Sequence, residues 1–167
     1  MDILIIDDAP IMIALLKKLV SKMPDCRAVA FTSAAEALTW CLSNDPDLVI
    51  VDYMMPEIDG IEFAQRFRAL AGKSDTPLLM VTAAGDDREL KHRALELGIN
   101  DFLNKPFDQI ELQARAANML KLRSSQKKLA SRALLLADEV AKATEQIVTR
   151  ERETLFCLGR AAGLNPA

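Results

Sequence analysis

Short apolar runs of about five residues, several ending in an acid or a hydroxyl, alternate with amphipathic stretches through the first two thirds of the chain. This alternation constrains the fold more than any other feature. A run that is apolar at every position must be buried on both faces, as in a parallel sheet covered by helices on each side. The expected strands are Ile3 to Asp7, Ala28 to Phe31, Leu48 to Asp52, Leu78 to Thr82 and Asp101 to Leu103. Helices are expected near 10–22, 34–43, 60–71 and 86–97, the last stopped by Gly98.

Right-handed crossovers then leave an α/β fold, a doubly wound five-stranded parallel sheet in the flavodoxin-like order 2-1-3-4-5. Ligands of such sheets bind outside the carboxyl ends of the strands. The 167 residues, 50% hydrophobic and 27% charged, suffice for one domain and an appendage and exclude disorder. A net charge of -3 and a pI near 5.3 argue against a nucleic-acid binder, and no apolar run approaches the ~18 residues of a membrane span. Cys26, Cys41 and Cys157 form no CxxC pair, so neither a disulfide framework nor a zinc site is expected, and a reducing, cytoplasmic location fits best. Asp2 and the short apolar run after it do not make a signal peptide.

After Phe107 the chain is rich in Ala, Leu, Lys, Glu, Gln and Arg, with no Gly or Pro until Gly159, and reads as one very long helix. Placing Met119, Gln126, Ala133, Val140 and Ile147 at heptad position a puts Leu122, Leu129, Leu136 and Ala143 at position d. This predicts a parallel two-stranded coiled coil, hence a homodimer. The competing expectation is a helix packed on its own domain, since Leu134 and Leu135 fall off the seam. The basic cluster Lys121, Arg123, Lys127, Lys128 and Arg132 is read as a solvated face.

Asp7 and Asp8 follow the first expected strand and Asp52 ends the third, and these strands are neighbours at the topological switch point. Three converging carboxylates repel one another unless a hard cation such as Mg2+ joins them, and Mg2+ keeps waters and phosphate oxygens in its shell. Thr82 and Lys105 add a hydroxyl and an ammonium to the same rim. Together these make a phosphoryl site in which one carboxylate can be the nucleophile.

These residues resemble the receiver domain of two-component response regulators, the CheY-like family, over residues 1–120. The matching pieces are Asp7-Asp8, the segment from Asp52 to Gly60, Val81-Thr82-Ala83 and Lys105-Pro106-Phe107. The resemblance implies that Asp52 is the phosphoacceptor, that Asp8 binds Mg2+ directly and Asp7 through water, and that Met54 lends its backbone carbonyl. It further implies that Thr82 and Lys105 bind phosphoryl oxygens, that Phe102 is the switch aromatic, and that a cis bond precedes Pro106. Phosphorylation would draw Thr82 inward and let Phe102 fill the space it leaves, repacking the face of the fourth helix, fifth strand and fifth helix. Met54 and Ala84 carry no side chain that hydrogen-bonds an attacking water, so slow self-dephosphorylation is expected, with small Ala83 leaving the acceptor open. Asp59 and Gly60 are read as turn residues, the Gly supplying an unusual backbone angle. Trp40 and Tyr53 are read as packing residues.

His92 is the chain's one histidine and reads as a surface residue, so the donor phosphohistidine comes from a sensor histidine kinase or phosphotransfer protein. The stretch from Arg150 to Ala162 resembles the helix that opens an HD-GYP output domain, the class that hydrolyses cyclic di-GMP. The expected organisation is a receiver at 1–120, a coiled-coil signalling helix at 121–150 and the start of a truncated output domain at 151–167. With one His and no Gly-Tyr-Pro motif, the chain is not expected to hydrolyse a cyclic dinucleotide itself; its own chemistry is self-phosphorylation and dephosphorylation. Two other classes compete: a dimerisation scaffold with a receiver fold, and a haloacid-dehalogenase-type phosphohydrolase. The latter needs a second Asp where Met54 stands.

Overall fold

The computed structural model describes residues 1–83 and 88–161, with side chains described outside 88–91 and 159–161. Five strands alternate with helices. They are β1 (Asp2–Ile6), α1 (Pro10–Val20), β2 (Arg27–Phe31), α2 (Ala34–Cys41), β3 (Leu48–Asp52), α3 (Gly60–Arg68), β4 (Leu78–Thr82), α4 (Arg88–Glu96), β5 (Asp101–Asn104) and α5 (Gln109–Ala161). The strands form one parallel sheet in the order β2-β1-β3-β4-β5, the doubly wound topology expected from the sequence.

Successive residues of a strand face opposite sides of the sheet, so each strand feeds two cores. Leu4, Ile6, Val49, Val51, Leu78 and Met80 meet Phe63 and Phe67 of α3 and Ala37 of α2 on one face. Ile3, Ile5, Ile50, Leu79 and Val81 meet Leu16 of α1 and Leu112, Ala116 and Leu120 of α5 on the other. Trp40 and Tyr53 pack against the first cluster, with the Trp40 ring 6.1 Å from that of Phe31.

The helices start where their caps dictate. Pro10 opens α1, the Ser33 side chain accepts from Glu36 N, Asp59 Oδ1 accepts from Glu62 N at 2.8 Å, and Asp108 Oδ1 accepts from Glu111 N at 2.7 Å. Gly98 follows α4 at φ +82, the left-handed stop expected of it. Helices end a few residues earlier than their apolar pattern suggests. After Arg68, for example, Leu70 N already donates to Phe67 O, so the chain has tightened into a closing turn. Asp7 lies beyond β1 rather than in it, and the expected start of the fourth helix falls partly outside the described residues.

The chain divides into two compact units, Met1–Ser124 and Ser125–Ala167, and α5 contributes to both. In the first, Met119 packs against the α1/α5 core, which takes it off the expected heptad seam. Arg123 is buried there as well, donating to Thr76 Oγ1 at 3.3 Å and lying 3.6 Å from Asp45. It is no part of the solvated basic face expected around it. In the second, residues 125–158 are exposed throughout, Leu129, Leu136, Val140 and Ile147 among them. No helix among the described residues is long and apolar enough to cross a membrane.

Candidate functional site

Strand register builds the site. Ile6 pairs with Val51 and Asp52 with Val81, so the residues just past β1, the end of β3 and the end of β4 reach one rim together. Oxygen atoms of Asp7, Asp8 and Asp52 all lie within 4.8 Å of one another. Asp7 and Asp52 are buried at 1% and 5% exposure, whereas Asp8 is exposed at the mouth. Asp7 Oδ1 is fixed by Ala9 N at 2.9 Å.

Lys105 follows β5 and reaches across the sheet ends. Its Nζ donates to Asp52 Oδ1 at 2.6 Å and to Asp7 Oδ2 at 3.2 Å. Lys105 N donates to Thr82 O at 2.8 Å, and the Lys105–Pro106 bond is cis, as the resemblance implied. Burial pushes the Asp52 carboxyl above its ordinary range; the hydrogen bond and charge of Lys105 oppose this, and the charges of Asp7 and Asp8 add to it. Burial pulls Lys105 down, but its bond to Asp52 and the charges of Asp52 and Asp7 outweigh that and hold it above its ordinary value. One ammonium thus stands against three carboxylates, leaving a local excess of negative charge in oxygen ligands.

The structure brings together Asp7, Asp8, Asp52 and Lys105, and places Thr82, buried, at the end of the neighbouring strand. Met54 is 66% exposed in the β3–α3 turn, lining with Asp8, Tyr53, Met55, Pro56 and Asp59 an open pocket of about 410 Å³. Phe102 is half-buried against the first core, paired through the sheet with Met80. His92 is exposed, Ala83 is exposed at the rim, and Ala84 lies outside the described residues.

Gly60 corrects an expectation. It is the first residue of α3 and has no left-handed angle; what it supplies is space. A Cβ there would lie 2.6 Å from Asp52 O and 3.0 Å from Tyr53 Cα, so only Gly lets α3 start against the end of β3. Gly60 N also donates to Tyr53 O at 2.9 Å. Its position directly after the helix-capping Asp59 was visible in the sequence, but the close approach was not.

An open α/β sheet with an acidic, lysine-bearing cleft at its strand ends defines a CheY-like fold. The chain belongs to the response regulator receiver domain family, whose model matches residues 3–117, and is thus a receiver domain of two-component signalling. RpfG of Xanthomonas campestris pv. campestris (strain 8004), a cyclic di-GMP phosphodiesterase response regulator, is 37% identical over 162 residues, covering 96% of this chain and 43% of that protein. The chain therefore spans less than half of that relative's length. The receiver domain of the Francisella response regulator 1452 superposes with a TM-score of 0.64 at 28% identity, over 72% of this chain and 96% of that one. A receiver domain of a Pseudomonas aeruginosa PAO1 sensor histidine kinase, with magnesium in its active site cleft, shares the fold at a TM-score of 0.65 and 22% identity, over 72% and 97%.

Proposed function

We propose that this chain is a phosphoacceptor switch in which Asp52 takes a phosphoryl group from a phosphohistidine of a sensor histidine kinase or phosphotransfer protein. The observation that carries the reading is the convergence of Asp7, Asp8 and Asp52 with Lys105 bonded to two of them. An Asp52 oxygen attacks phosphorus, the P–N bond breaks, and its electron pair returns to the donor imidazole nitrogen. The donor set fits Mg2+, since every candidate ligand is a hard oxygen and the carboxylates outnumber their cation. Asp7, Asp8, Asp52 and the Met54 backbone carbonyl would hold it. Bound there, Mg2+ supplies charge neutralisation to the carboxylates and the incoming phosphoryl oxygens.

Lys105 can exchange its bond to Asp52 for one to the phosphoryl group, and the Thr82 hydroxyl takes a second oxygen. Phe102 then moves toward the space that Thr82 leaves, repacking the α4–β5–α5 face. The exposed apolar seam of α5 supports a homodimer that carries this change onward through residues 121–150. Likeness to RpfG supports a cyclic di-GMP phosphodiesterase of the HD-GYP class as the output, with residues 151–167 at its threshold. The receiver itself is the segment 1–120, and the exposed His92 leaves phosphohistidine chemistry to the partner.

Incubation with Mg2+ and a small phosphodonor is expected to add one phosphoryl mass, seen by intact-protein mass spectrometry and absent in Asp52→Asn. An adduct that survives in Asp52→Asn, or no adduct in the wild type, overturns the assignment.

A further inference from the structure

The loop between β3 and α3 supplies every residue but Asp8 of the open pocket at the mouth of the cleft. Both of its ends are fixed. Tyr53 N donates to Val81 O at 2.8 Å and Tyr53 O accepts from Gly60 N at 2.9 Å, while Ile58 is buried in the first core and Asp59 caps α3. Met54 to Glu57 must therefore leave the sheet and return within one short closure. They do so through a three-residue turn: Ile58 N donates to Pro56 O at 2.8 Å, and Glu57 at its centre has φ +66. This is the rare sense of the γ-turn, strained for a residue that carries a Cβ. Asp25, the other non-glycine residue at positive φ among the described residues, has the short polar side chain that tolerates it, and Glu does not. The Glu57 side chain is exposed, so no packing in the core calls for it.

We infer that Glu57 is a positioning residue for the cation, an inference that rests on the Mg2+ reading of the cleft. Its left-handed turn, acting through the backbone and not through the carboxylate, holds the loop in the shape in which the Met54 carbonyl joins Asp7, Asp8 and Asp52 as a ligand. Pro56, between Met54 and Glu57, has a fixed φ and no N–H to give to any other turn. Met55, preceding a proline, is biased towards extended backbone. The turn at Glu57 is thus the adjustable joint of the segment that carries the carbonyl. Strain of this kind persists where surrounding contacts over-determine it, here the Tyr53–Gly60 closure, the burial of Ile58 and the Asp59 cap. It gathers at ligand sites because it holds a geometry in advance of the ligand. A loop that visits the turn only part of the time would bind the cation with an apparent affinity lowered by that fraction.

Binding of Mn2+ to the full chain, followed by the electron paramagnetic resonance of the free ion and reversed by Mg2+, tests this; both ions take the same oxygen ligands. Glu57→Val, β-branched and so resistant to positive φ, is expected to weaken Mn2+ binding about three- to tenfold. Glu57→Gly and Glu57→Asn, which enter the left-handed region readily, are expected within about twofold of the wild type. Glu57→Gln, which removes the charge and keeps the backbone preference, is expected within the same margin. The urea midpoint of each variant is read alongside, since a merely structural role would lower it in Glu57→Val and leave the affinity where it was. Glu57→Thr carries the same expectation should Glu57→Val fail to fold. Wild-type affinity in a folded β-branched variant, or a loss in Glu57→Gly or Glu57→Gln as large as in Glu57→Val, overturns the inference and leaves the cation reading standing. A wild type that binds no Mn2+ overturns both.

Discussion

Single residues set the tolerances of the cleft. Gly60 has backbone 2.6 Å from where a Cβ would stand, and backbone cannot swing aside as a flexible side chain can. Gly60→Ala is expected to cost about 1–3 kcal/mol, the overpacking range, despite the better helix propensity of Ala. A lowered urea midpoint with an unchanged slope reads this. Because the clash falls on the Asp52 carbonyl, phosphorylation is expected to slow as well. Cys41 reports the buried face of α2, in the first core cluster. Burial pushes its thiol up to about 11 from an ordinary 9.0. The fold therefore favours the protonated form; that contribution is complete below about pH 9 and lost as pH rises towards 11. The stability difference between wild type and Cys41→Ala is expected to shrink across this window. A difference constant from pH 8 to 11 contradicts it.

At the scale of elements, β3 and β4 were legible because Leu48 to Val51 and Leu78 to Val81 are apolar throughout and end in Asp52 and Thr82, while β1, β2 and β5 were legible from shorter apolar runs in the same alternation with helices. The cleft was legible for the same reason, since chain order and right-handed crossovers bring those ends together. Contacts between distant segments were not legible. Arg123 looked like one of several basic residues on a helix. Its burial depends on Thr76 and Asp45, which arrive from loops before β4 and β3. Met119 fits a heptad as well as Leu129 does, and only the packing of α5 on α1 separates them. The Arg123 Nε has no partner within the fold, and the guanidinium also lowers the pKa of nearby Arg68 after burial has done so. An ion pair that leaves donors unsatisfied repays its desolvation poorly. Arg123→Ala is therefore expected to lose about 1–3 kcal/mol, mostly packing, whereas Arg123→Met, which keeps the aliphatic stem, is expected to lose less than about 1. Equal losses in thermal unfolding would show that the charge matters more than the stem.

For the whole molecule, the question is how a charge added at one cleft would reach the homodimer proposed for the second unit. Phosphorylation contributes roughly -1.5 to -2 charge, in a site where three carboxylates already face one ammonium. In the proposed switch that charge is taken up by Lys105 and Thr82, which sit at the ends of β5 and β4, the strands that lead into α5 and α4. In the proposed switch, displacement there acts on the first turns of α5, whose helical span is Gln109–Ala161. The proposed switch involves no loss of helix, so the expected readout is a change in which α5 residues approach each other between chains. Cys157 falls seven residues after Arg150 in the same heptad column as Leu129 and Leu136, and it is exposed. Oxidative crosslinking through Cys157, with Cys26 and Cys41 replaced by Ala, is expected to change in rate by severalfold when a phosphoryl mimic and Mg2+ occupy the cleft. Asp52→Asn should remove the change. Identical rates and identical dimer affinity with and without the mimic would mean that the helix joins the chains but carries no signal.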